Sequence, residues 1–231
     1  MKTRREFVVA LGTATVLAGT LPIAGCKALG ESGEEVSANE DLMREHGVLR
    51  RALLVYALAA PKLRTDPASV SPAALHQTAV LFRQFGEDYH ERRLEEPFIF
   101  PAVKGHSPDL AHYVDTLLAQ HQRGREITDF IMSQTGGQKL ADSRGLPDAL
   151  DSFVLMYQEH TAREDTIIFP AWHKSLSQSD YEKMGDKFED IERQQFGHDG
   201  FDDAVKQIGQ IETDLNVADL AQFTAAAPPK V

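Results

Sequence analysis

Tyr157–Pro170 reads YQEHTAREDTIIFP, with a histidine and a carboxylate, His160 and Glu164, four residues apart. On an α-helix four residues turn about 400°, so both side chains project from one face, one turn apart. Leu150, Phe153, Val154, Tyr157 and Ile168 fall on the same face and turn it toward a core. An inward carboxylate is costly unless a cation or a full set of donors meets it. A metal ion is the simplest answer.

The stretch has an echo. Leu94–Ala102, LEEPFIFPA, and Arg163–Ala171, REDTIIFPA, align so that Glu95, Ile99, Phe100, Pro101 and Ala102 recur as Glu164, Ile168, Phe169, Pro170 and Ala171. His90 precedes the first copy and His160 the second. Upstream of each lies an H-x-x-x-R pair, in Glu45-His46-Gly47-Val48-Leu49-Arg50 and Gln120-His121-Gln122-Arg123-Gly124-Arg125. Two helical hairpins, each offering His and then His with Glu, make two half-sites of a dinuclear centre.

The halves differ in one respect: His90 and Glu95 are five residues apart. On a regular helix that turns about 500° and leaves the pair roughly 140° out of phase. A widened, π-type turn over about 90–97 restores the match, and Pro97 favours it, because proline lacks an N–H and clashes with the carbonyl of Arg93. Glu95 then approaches Glu164. The rival is that Glu91 binds the metal and Glu95 turns away.

The apolar period is helical from Glu40 onward. A first helix over about 40–60 carries Leu42, His46, Leu49, Leu53, Tyr56 and Ala60 on one stripe, with Pro61 closing it. A second begins at Ser71-Pro72 and turns Leu75, Ala79, Phe82, Gly86, Tyr89 and His90 inward; a third begins after Ser107-Pro108 with the same cap chemistry and stops at Gly136-Gly137. The fourth spans about 147–176. No run alternates with period two, so the expectation is an all-α, up-down four-helix bundle over 40–176. Residues 177–224 form a helical extension, read as an end cap and broken at Phe196-Gly197-His198-Asp199-Gly200-Phe201, and 225–231 a tail.

The chain opens differently. Lys2, Arg4 and Arg5 precede an apolar run from Phe7 to Ala24, and Ile23-Ala24-Gly25-Cys26 resembles a bacterial lipobox. Thr3–Val8 resembles a twin-arginine signal. Residues 1–26 thus read as an export signal and 27–39 as a flexible tether. A membrane anchor is the competing reading, interrupted by Gly12, Gly19 and Pro22. The expectation is an exported lipoprotein of the bacterial cell envelope, held to the membrane through Cys26. Cys26 is the only cysteine, which excludes disulfides, thiolate nucleophiles, Fe–S clusters and Cys-bound zinc from the rest of the chain. Residues 1–26 carry a net +2 of the total −11, leaving −13 on the remainder, a poor surface for nucleic acid.

His46, His90-Glu91 with Glu95-Glu96, His121 and His160-x-x-x-Glu164 together resemble the hemerythrin-like (HHE cation-binding) family, over about 40–223. The resemblance implies a non-haem di-iron centre, with His46 and His90 serving one iron, His121 and His160 the other, and Glu95 and Glu164 bridging. Manganese and zinc also suit such donors. Where the family's oxygen carriers have a second histidine this chain has Arg125, and Glu91 is available to fill that place. Arg50 and Arg125 are expected to pair with carboxylates around the ligands; Asp88, Glu96 and Asp165 read as solvent-facing charge. The implied function is binding of a small diatomic such as O2 or NO. The alternative is an enzyme reducing peroxide or NO with electrons from an external donor.

Overall fold

The computed structural model describes residues 36–141 and 144–229. The signal, Cys26 and most of the tether lie outside the described residues. Helix α1 is Ala38–Thr65; α2 runs over 72–106, α3 is Ala111–Thr135 and α4 runs over 146–174. The four pack around one core in an up-down bundle, α1 against α2 and α4, and α3 against α2 and α4. Among the described residues there is no strand, and no helix is long and apolar enough to cross a membrane.

Helix starts follow the sequence closely. Ser71 accepts a hydrogen bond from the N–H of Ala74 and Pro72 occupies the first turn, where its missing N–H costs nothing. Ser107 differs: its side chain caps nothing, and a short 3-10 turn, Pro108–Leu110, leads into α3. Pro61 does not close α1, which continues one more turn to Thr65 with Pro61 on its exposed side. There the ring meets solvent, and only one backbone bond is forgone. At the other end α1 begins before residue 40. Ser37 caps it, and Asn39 joins the fold, its N–H donating to Tyr181 Oη (2.8 Å) and its Nδ2 to the carbonyl of Phe169 (3.1 Å).

Two helices are wound wide. In α2 the segment Phe82–Ile99 is π-helical, and in α4 Glu164–Ile168 is too; each ends with a phenylalanine N–H reaching back five residues, Phe100 to Glu95 and Phe169 to Glu164. Pro101 and Pro170 follow directly, and their rings displace the carbonyls four residues earlier, which a wide turn tolerates. The expected wide turn at 90–97 is therefore present. It starts eight residues earlier than expected, and its equivalent in α4 was not anticipated.

The extension is two helices, α5 (Gln178–Phe196) and α6 (Gly200–Asp214), followed by a 3-10 turn, Leu220–Phe223. They form a side wall rather than an end cap: α5 packs on α1 and α2, and α6 lies along the same two helices. Arg51 on α1 fastens α6 with a two-pronged ion pair to Glu212, at 2.8 and 2.5 Å.

Candidate metal centre

His46, His90, His121, His160, Glu95 and Glu164 come together inside the bundle, none more than 3% exposed. All four imidazoles present Nε2 to the two carboxylates. His90 Nε2 lies 3.3 Å from Glu95 Oε1, His121 Nε2 3.3 Å from Glu95 Oε2, His160 Nε2 3.0 Å from Glu164 Oε1 and His46 Nε2 3.5 Å from Glu164 Oε2. Neither oxygen of Glu95 or of Glu164 has a partner in hydrogen-bond geometry. The wide turn of α2 has brought Glu95 inward beside Glu164.

Each ring is anchored from behind through Nδ1. His46 meets Asp165 at 2.7 Å, His90 meets Glu45 at 2.5 Å, His121 meets Glu96 at 3.0 Å and His160 meets the Gln120 side-chain oxygen at 3.0 Å. Acceptors at Nδ1 require the N–H there, so in the neutral ring the Nε2 lone pair faces the centre, the arrangement of a histidine metal ligand. Nε2 of His121 and Nε2 of His160 lie only 3.2 Å apart. Two lone pairs that close repel unless a proton or a metal ion stands between them.

The sequence echo becomes a pseudo-twofold. Asp165 and Glu96, each directly after an inward glutamate, hold His46 and His121. Arg50 and Arg125, each one turn after those histidines, pair with Asp165 and Glu96. Phe169 stacks on His46 and Phe100 on His121, both at 5.3 Å and 26°. Asp165 and Glu96 are thus committed to the ligands behind the centre, against their reading as solvent-facing charge. Asp88 does face outward and pairs with Arg92. Glu45 and Gln120 were missed, although each directly precedes a histidine of the fainter echo.

Glu91 lies behind the inner set, where Glu91, Glu96 and His121 form a further group spaced to hold an ion. Glu91 accepts from Tyr157 Oη (2.8 Å) and Arg125 (3.0 Å) and approaches His121 only on its Nδ1 side, at 3.8 Å. Burial and the charge of Glu91 push the Tyr157 phenol well up, so it stays a donor. A glycine makes room for it: a Cβ at Gly124 would lie 2.1 Å from Tyr157 Oη.

Burial opposes every charge in the centre. It is outweighed at His121, which Glu91, Glu95 and Glu96 push up to about 10, and at His90, which Glu95 and Glu45 hold well above the usual range. Burial and the charge on His121 push His160 down to about 3. Of the two carboxylates, Glu164 is raised well above the ordinary value by burial and by Glu95; Glu95 is held well below it by His90 and His121 despite burial. The centre demands positive charge, which protons or metal cations can supply. Glu95, His121, His160 and Glu164 form one cluster spaced to hold an ion, and His46, His90 and Glu95 a second.

Residues 37–172 match the hemerythrin HHE cation-binding domain. The chain belongs to that family. It is 40% identical over 192 residues to Uncharacterized protein Mb2018 of Mycobacterium bovis and to Uncharacterized protein Rv1995 of Mycobacterium tuberculosis, covering 82% of this chain and 74% of each relative. No solved structure matches the chain. Membership of a cation-binding family agrees with two His/Glu clusters that share Glu95, and the match ends two residues before α4 does, leaving the extension outside it.

Proposed function

We propose that this hemerythrin-family protein is a non-haem di-iron protein of the cell envelope that binds a small diatomic, O2 or NO. The observation that carries the metal reading is the set of four inward Nε2 atoms around two carboxylates whose four oxygens have no hydrogen bond. His46, His90 and Glu95 would hold one ion and His121, His160 and Glu164 the other, with both glutamates shared. Imidazole with hard carboxylate oxygen suits iron in both common oxidation states, and manganese or zinc less selectively. Iron held there supplies a Lewis-acidic position for an exogenous ligand and one-electron redox chemistry.

The rest of the site follows from the chain's own side chains. Phe100 and Phe169 wall the centre with apolar surface, which favours a small neutral ligand over a strongly hydrated one. Arg50 and Arg125 neutralise the carboxylates that orient His46 and His121. Tyr157 and Arg125 hold Glu91 back from the centre, which keeps one more carboxylate from occupying a ligand position. The envelope location is supported by the arginine pair, apolar run and lipobox-like end of residues 1–26.

The ligand reading is tested on the oxidised, iron-loaded protein. New charge-transfer absorption on adding azide is the expected result, and a spectrum indifferent to azide and NO would show a centre closed to exogenous ligands. Steady consumption of peroxide with an added reductant would move the protein to the enzyme class.

A further inference from the structure

The pseudo-twofold breaks behind one histidine. His160 is anchored on the neutral amide of Gln120, whereas its counterpart His90 is anchored on the carboxylate of Glu45. Gln120, Asp165 and Glu96 all reach the surface in part, but Glu45 is 1% exposed. Its second oxygen accepts from Tyr89 Oη at 3.1 Å, and Tyr89 is itself fully buried.

The extension closes this arm. Phe196, the last residue of α5, sets its ring edge-on to Tyr89 at 5.2 Å and tilted on Phe85 at 6.2 Å. The corner that follows is shaped to turn the ring inward. Gly197 is left-handed at φ 77°, which side chains rarely adopt. A Cβ at Gly200 would lie 2.2 Å from Cδ2 of Phe196, so only glycine leaves space for the ring. Asp199 caps α6 by accepting from the N–H of Asp202 (2.9 Å), and Glu192, 1% exposed, accepts from the N–H of Phe201 (2.9 Å). A stretch that reads in sequence as a helix break is a folded plug.

We propose that this corner is a wall of the metal centre: Phe196 seals the Tyr89–Glu45–His90 chain from water and so strengthens one metal position, that of His46 and His90, without acting on the other. The proposal rests on the two-metal reading. A carboxylate behind a ligating imidazole fixes the ring and raises its basicity, and the effect is larger where water is excluded. Phe196 acts through Tyr89 and Glu45 and is a positioning residue. The family match stops at residue 172, so this wall is supplied from outside the matched domain.

Titration of the metal-free protein with Co(II), followed by visible absorption and calorimetry, separates the two positions. The wild type is expected to bind in two steps. Phe196→Ala should weaken one step about tenfold and leave the other unchanged. Glu45→Gln should weaken the same step, and Gln120→Ala the other. Phe196→Leu, which restores apolar bulk, should recover most of the loss, and Gly200→Ala, which displaces the ring, should reproduce it even if Phe196→Ala does not fold. Equal weakening of both steps, or none, in Phe196→Ala or Gly200→Ala would overturn the wall. A wild-type protein that takes up fewer than two cobalt ions would overturn the two-metal reading, and the proposal with it.

Discussion

A Cβ at position 124 would lie 2.1 Å from Tyr157 Oη and 2.9 Å from its Cζ, and the ring is fully packed by Phe82 and Phe153, so it cannot swing away freely. Gly124→Ala gains about 1 kcal/mol in helix propensity. Against this stand about 1–3 kcal/mol for overpacking and about 1.5–3 kcal/mol for the displaced hydrogen bond to Glu91. The net loss is about 1.5–5 kcal/mol. Tyr157→Phe removes the same hydrogen bond and also the oxygen nearest to the new methyl. In the double variant the bond is lost once, not twice, so the two costs should fall short of additive by about 1.5–3 kcal/mol. Urea unfolding of the metal-free wild type, both single variants and the double variant measures this through the transition midpoints. A Gly124→Ala protein as stable as the wild type, or costs that add to within about 0.5 kcal/mol, would refute the claim that this glycine exists to seat the Tyr157 hydroxyl.

His160→Ala and Glu164→Ala should each lower metal content and the thermal stability of the loaded protein, because the remaining ligands become buried polar groups without partners; His173→Ala, whose ring only stacks on Tyr181, should do neither. Metal affinity should rise with pH. His121, held at about 10, carries a proton near neutrality that must leave before its Nε2 is free to serve the centre, and burial and Glu95 shift Glu164 upward in the same sense, so proton competition weakens as pH climbs; calorimetry in buffers of different ionisation enthalpy should show proton release, and pH-independent affinity between about pH 6 and 8 would contradict it. The protein expressed in a bacterial host should partition with membranes after processing, and Cys26→Ala should block lipidation and cleavage at the lipobox; unchanged processing in that variant would refute the lipoprotein assignment.

The bundle was legible because helical period, the Ser71-Pro72 start and the Gly136-Gly137 stop point to the same elements. The inner ligands were legible because they repeat: an internal echo of His, His and Glu is a stronger signal than any single His-x-x-x-Glu. What failed was local reasoning about residues whose role depends on a partner far away in sequence. Glu96 and Asp165 sit at the edge of an apolar stripe, where charge normally meets solvent, yet His121 and His46 lie across from them on other helices. Glu45 gives no sign of its role except that it precedes His46, and the histidine it anchors is His90. Pro61 does not stop α1, since an exposed proline near a helix end removes only one backbone bond. The wide turn was inferred from a mismatch of one residue in register. No proline accounts for its extension back to Phe82, and the second wide turn escaped notice because His160 and Glu164 are in phase without it.

Elemental analysis of the iron-loaded protein tests the central claim most directly. A centre in which four histidines and two shared glutamates converge predicts two metal ions per chain, chiefly iron, falling sharply when Glu95 and Glu164 are both replaced by alanine. One zinc ion and no iron per chain, unchanged by that double replacement, would contradict it.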